Sequence, residues 1–211
     1  MPFRPNPTMM SFAAVSAVAL SLAACGRSGT AETPAAAPAS TAAPGAQTTP
    51  AAFDLTGVPV STSPLAPSPY LTAPAGYRVE ARGAIRKTRF PIWLGSGFQT
   101  VEGDVSWMRI GPESGETLSR VEVSRAFDGM VEAAGGVKIA SGQVPGAAVS
   151  ALPEVMRQEL LDALGDNTNS PTTTWVIRRA DRTLWVHAVV SIEVAYLSVV
   201  DAAPFVAPPA S

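Results

Sequence analysis

Composition divides this 211-residue chain so sharply that only its later part can build a core. Residues 27–52 are almost entirely Ala, Pro, Thr, Ser and Gly, with Glu32 the one acidic charge. The stretch has no hydrophobic period and too little apolar bulk to offset the entropy of ordering, so a disordered tether is expected over residues 25–52. A flexible chain of that length reaches roughly 25–30 Å, and its prolines lengthen it. Ahead of it, Met9 to Ala24 is an unbroken run of apolar and small residues behind Arg4. A charged start, a hydrophobic stretch of roughly 15 residues and a small-residue cut site mark residues 1–24 as a secretory signal peptide, not a membrane span.

The signal ends in Leu22-Ala23-Ala24-Cys25, and Cys25 is the only cysteine in the chain. These four residues resemble the lipobox of bacterial lipoproteins. The resemblance implies that Cys25 is acylated and becomes the first residue of the mature chain, with membrane lipid as its partner. One acyl chain anchors marginally and two or three anchor stably, so the expected state is tethered to a bilayer without spanning it. Gly26, in place of an aspartate, implies the outer membrane by similarity to enterobacterial sorting. With Cys25 used by lipid, no disulfide can form within the chain, and the fold must stand on its core alone. Removing 24 residues leaves 187, with 14 basic against 17 acidic side chains. Such a balance does not favour binding to a polyphosphate, so no nucleic-acid partner is expected.

After the tether, residues 53–74 intersperse Pro59, Pro64, Pro67, Pro69 and Pro74 with Phe53, Leu55, Val58, Leu65, Tyr70 and Leu71. That mixture predicts an extended arm laid on the domain surface. Residues 75–201 form the expected domain, and 202–211 a frayed tail. Tyr77 to Arg82 alternates like a strand, and Phe98 to Ile110 reads as a longer one stopped by Gly111-Pro112. Gly95-Ser96-Gly97 suits a tight turn between strands. Ser119 with Glu122 has the spacing of a capping box, followed by Val123, Phe127, Met130, Val131 and Ala134 at helical spacing and by Gly135-Gly136 as a stop. Val137 to Ala140 is a short strand candidate. Pro153 opens a second helix with Leu152, Val155, Met156, Leu160, Ala163 and Leu164 on its face, ended by Gly165. Thr172 to Arg179 and Leu184 to Val190 make a hairpin, and a further strand follows a turn near Ser191–Glu193. The order predicts an α+β domain with two helices on one face of a mostly antiparallel sheet.

The inventory of chemical groups excludes most enzyme classes. His187 is the only histidine, so a multi-histidine metal site is not available. There is no G-x-S-x-G elbow, no Ser-x-x-Lys and no phosphate-cradling glycine loop. Glu102 and Asp104 share a strand face, a pattern open to acid–base or calcium chemistry, although a solvated face is the plainer reading. His187, with Trp185 and Val189 on its strand face, reads more simply as packed structure. Glu113 and Glu116 precede the first helix, where acids complement its dipole. Two basic groups stand out: Arg78, Arg82, Arg86, Lys87 and Arg89, and the hairpin-tip cluster Arg178, Arg179 and Arg182. Both suit anionic lipid or an acidic partner, against ordinary solvated charge. Trp93, Trp107, Trp175 and Trp185 lie in or beside strands, as core or as an interface. No catalytic residue, cofactor or metal is expected.

Phe90-Pro91-Ile92-Trp93 followed by Val101-Glu102-Gly103 resembles the N-terminal domain of certain OmpA-family envelope lipoproteins. So do Ala133 to Lys138 and the hairpin Trp175 to Arg182 with Trp185-Val186. The likeness spans roughly residues 75 to 200 and rests on structural motifs. The relatives continue into a peptidoglycan-gripping domain, which a chain stopping at Ser211 is not expected to carry, so no binding residue is inherited. The resulting expectation is a lipid-anchored periplasmic module, non-enzymatic, working in envelope structure or assembly through an envelope protein partner. The alternative is a binding module for a small apolar or anionic ligand at the membrane surface.

Overall fold

The computed structural model describes residues 52–113, 115 and 117–206. The signal peptide, Cys25 and nearly all of the proposed tether lie outside the described residues, as do Glu116 and residues 207–211.

Six strands form one sheet: β1 (Tyr77–Trp93), β2 (Phe98–Pro112), β3 (Val137–Gly142), β4 (Thr172–Arg178), β5 (Thr183–Val190) and β6 (Ala195–Ala202). Their order across the sheet is β1-β2-β6-β5-β4-β3, and every neighbouring pair is antiparallel. Helices α1 (Arg120–Ala133), α2 (Gly146–Ser150), α3 (Glu154–Glu159) and α4 (Leu161–Leu164) lie between β2 and β4 in the chain. The α+β class and the antiparallel sheet therefore agree with the expectation.

The placement of the helices does not. α1 lays Val123, Phe127 and Val131 against one face of the sheet, on Trp175, Ile177, Leu184, Val186, Leu197 and Val199. Leu160, Ala163 and Leu164 pack on the opposite face, with Val176, Trp185 and Val200. The cause is β5, where every residue from Thr183 to Val190 is buried. A strand apolar on both faces needs cover on both, as its continuous hydrophobic run implies. Leu160 also breaks the expected second helix. It leaves helical geometry at φ −108°, ψ 12° while only 1% exposed, so burying that side chain divides the segment into α3 and α4. Val155, placed on the helical face by its spacing, is 60% exposed.

The second face is completed by the β1–β2 hairpin. β2 pairs with β6 only from Gly103 to Ile110, while its pairing with β1 continues to Phe98. At the bend, the register shifts between Ile85 and Thr88, and Lys87 takes a positive φ of 49°. The Lys87 N–H donates to the Asp104 carboxylate at 2.9 Å, which holds the bulge. Gly103 faces Thr88, and a Cβ there would collide with the Asp201 carbonyl oxygen. Beyond this bend, Phe90 and Ile92 pack into the second core with no exposure. Trp93 meets Phe98 edge-on at 5.2 Å and closes a small cluster with Ala140 and Val144.

Local signals explain α1. The Ser119 hydroxyl accepts the Glu122 N–H at 3.4 Å, and the Tyr77 hydroxyl joins the cap by accepting the Ser119 N–H and donating to Glu122. At the other end, Gly135 takes a φ of 74°, and the Ser61 hydroxyl donates to the Ala134 carbonyl at 2.7 Å. No helix among the described residues is long and apolar enough to cross a membrane.

Candidate functional site

Residues 53–71 wrap the domain, and the β4–β5 hairpin tip holds them. Phe53 stacks edge-on against Trp185 at 6.2 Å, and Leu55 and Val58 are buried in the second core. Arg178 donates to the carbonyls of Leu55 at 2.9 Å and Val58 at 3.0 Å, with the Phe205 ring 5.0 Å from its guanidinium. Its own carbonyl accepts the Ser61 N–H at 2.7 Å. Arg179 donates to the Ser63 carbonyl at 2.7 Å. Arg182 reaches the Tyr70 hydroxyl at 2.8 Å and the Asp201 carboxylate at 3.1 Å, while Tyr70 also donates to Asp201. Burial, followed by the Asp201 carboxylate, pushes the Tyr70 phenol above its ordinary pKa. The arginine cluster that suggested an anionic partner is therefore engaged within the molecule, clamping three successive parts of the arm.

His187 is also structural. Thr174, His187 and Ser198 are cross-strand partners on β4, β5 and β6, all with no exposure. The His187 Nε2–H donates to the Leu164 carbonyl at 3.2 Å, and the Ser198 hydroxyl donates to the Ala163 carbonyl at 2.6 Å. Both acceptors belong to the end of α4, whose last carbonyls lack partners within the helix. Phe90 lies edge-on to the imidazole at 5.5 Å. Burial pushes the His187 pKa down to about 4, so the ring is neutral near pH 7. His187 Nδ1, Thr174 Oγ1, Thr172 Oγ1 and Asn167 Nδ2 have no hydrogen-bond partner.

Glu102 and Asp104 do come together. Both are exposed and border a cleft of about 570 Å3 with Lys87, Arg89 and Asp201. Asp104 faces Asp201 directly across the β2–β6 pair, but Asp201 is held by Arg182 and Asp104 by the Lys87 N–H. Glu102 is open to solvent and Asp104 is taken up by the bulge, an arrangement that fits the construction of the bend better than proton transfer. Glu113 is exposed, and its N–H closes the end of the β1–β2 ladder on the Gly76 carbonyl. Among the described residues, no group of three or more His, Cys, Asp or Glu is placed to hold a metal.

The tryptophans divide unevenly. Trp93, Trp175 and Trp185 are buried, with the Trp175 indole N–H donating to Asp128 at 2.9 Å, and Trp107 is half-buried over Gly83. The basic residues of β1 remain outside. Arg78, Arg82, Arg86, Lys87 and Arg89 are all exposed, and only Arg78 makes an ion pair among the described residues, with Glu80 at 3.0 Å. Next to them, a groove of about 570 Å3 runs between arm residues 68–73 and the β1–β2 ribbon, over Leu71, Val79, Ala84 and Met108, with Arg82 on its wall. This groove was not legible in the sequence, because its two sides are brought together only by the arm's path. Comparison with protein-family models, curated proteins and solved structures finds no match for this chain.

Proposed function

We propose that this protein is a lipid-anchored periplasmic module of the bacterial envelope that works through contacts with another envelope protein and carries out no catalysis. The anchor is Cys25 in its lipobox-like setting, and Gly26 together with the OmpA-family likeness points to the outer membrane. The observation that carries the reading is the filled interior. On both faces the space between sheet and covering elements is occupied by side chains with little or no exposure, such as Phe127, Phe90, Ile92 and Leu160. The domain therefore offers surface rather than an interlayer cavity to other molecules. The alternative reading, a module for a small apolar or anionic ligand, is favoured by the open groove beside Arg82.

In-cell crosslinking of the full-length protein separates the two. The assembly reading expects one stoichiometric envelope protein, and the ligand reading expects a monomer whose purified form carries an extractable small molecule. The anchor has its own test, since Cys25→Ser should abolish palmitate incorporation and release the protein from the membrane fraction.

A further inference from the structure

The outer side of β1 is the part of the sheet that the fold leaves open. β1 is an edge strand, and from Arg78 to Trp93 its backbone bonds to no element other than β2 among the described residues, apart from the Lys87 N–H taken by Asp104 and the turn that closes its hairpin. Two irregularities bracket the regular stretch, one between Val79 and Ala81 and one between Ile85 and Thr88. Residues 81–85 thus form a short template of unpaired N–H and C=O groups.

The two faces of that template differ. Arg82 and Ala84 pair with Met108 and Ser106 and so lie on the groove side. Arg86, in the bulge, lines a neighbouring hollow with Ser68, Ala84 and Asp104. Gly83 and Ile85 pair with Trp107 and the buried Val105, so the apolar surface left there is the half-buried Ile85 and Trp107, with Gly83 and Trp107 also reaching the groove. Arg82 and Arg86 are four residues apart, roughly 13 Å along a strand. Of the nearby acids, Glu80 is committed to Arg109 and Arg78, Asp104 to the bulge and Asp201 to Arg182, while Glu102 lies beyond the bulge opposite Arg89.

We propose that the outer edge of β1 at residues 81–85 is a strand-addition site for an extended segment of a partner protein with alternating acidic and apolar residues. The claim rests on the assembly reading above and names the surface through which it acts. Added alongside β1, such a segment satisfies the open backbone groups. Its carboxylates meet Arg82 and Arg86, and its alternate apolar side chains meet Gly83, Ile85 and the half-buried Trp107. A second copy of this chain suits the charge poorly, because each β1 edge carries five basic residues against the single acid Glu80. A bilayer surface suits the edge less well, since head groups lack the regular donor and acceptor spacing that a strand presents.

The test uses the full-length lipidated protein in neutral detergent and a fluorescent heptapeptide alternating Glu and Val, followed by anisotropy. The peptide is expected to bind, and its Lys/Val counterpart is not. R82E/R86E, with its fold checked by circular dichroism, is expected to weaken binding by at least about tenfold, with R82Q/R86Q intermediate. N-methylation of alternate peptide residues is expected to weaken it similarly, because it removes the strand pairing and keeps the charge. Absence of binding, or binding indifferent to both changes, overturns the proposal. So does loss of association with phosphatidylglycerol vesicles in R82E/R86E when the peptide never binds, which reassigns the stripe to membrane. In cells, a stoichiometric crosslinked partner that persists unchanged in R82E/R86E overturns this site and leaves the assembly reading standing. No partner in either form overturns both.

Discussion

Gly103 and His187 show how single residues set this fold. Gly103 allows the β1–β2 hairpin to bend, because the Asp201 carbonyl occupies the position of any Cβ. Gly103→Ala should therefore destabilise by about 1–3 kcal/mol, the range for forced overpacking, measured by urea unfolding. An unchanged midpoint would mean that the backbone shifts freely there. His187 titrates at about 4 when folded against 6.5 in an unfolded chain. Between those values the unfolded chain binds the additional proton, so stability is full above the unfolded pKa and falls as pH drops toward 4. The total loss is about 3 kcal/mol. His187→Gln should flatten the stability profile between pH 4 and 6.5, and a wild-type profile that is already flat would contradict the buried neutral ring. The histidine's packed character followed from its apolar strand neighbours. Its carbonyl partner did not, because Leu164 approaches only once α4 has packed on the sheet.

At the scale of elements, the sequence was informative where a signal is local. Ser119, Glu122 and Gly135 delimit α1, and Gly95 to Gly97 closes the first hairpin with the Leu94 N–H on the Gly97 carbonyl at 2.9 Å. It was less informative where tertiary packing decides. Leu160 lies in a helical pattern but is drawn into the core, and the two-sided burial of β5 sends α1 and α4 to opposite faces. The run from Leu184 to Val190, apolar apart from His187, carries that second signal. The arginine clamp was illegible for a different reason: its acceptors are main-chain carbonyls, which every residue possesses. Arg178→Ala leaves the Leu55 and Val58 carbonyls without their charged donor, a loss of about 1.5–3 kcal/mol for hydrogen bonds of this kind. Amide hydrogen exchange over residues 55–63 should accelerate, and limited proteolysis should cut there first. Unchanged protection would show that the buried Leu55 and Val58 hold the arm without help.

The whole molecule joins the proposed anchor at Cys25 to a domain filled on both faces of its sheet and a basic strand edge left open. The chain as given is close to neutral, with 15 basic and 17 acidic side chains, yet five of the basic ones lie on β1. Association through that edge should weaken as salt rises, since exposed charges are screened beyond about 8 Å at physiological ionic strength. The measurement that tests the central claim most directly is in-cell crosslinking of the full-length protein beside Cys25→Ser. The account predicts one stoichiometric envelope protein captured by the wild type and lost or sharply reduced when the anchor is removed. A clean monomer in both, or an identical capture with and without Cys25, would contradict it.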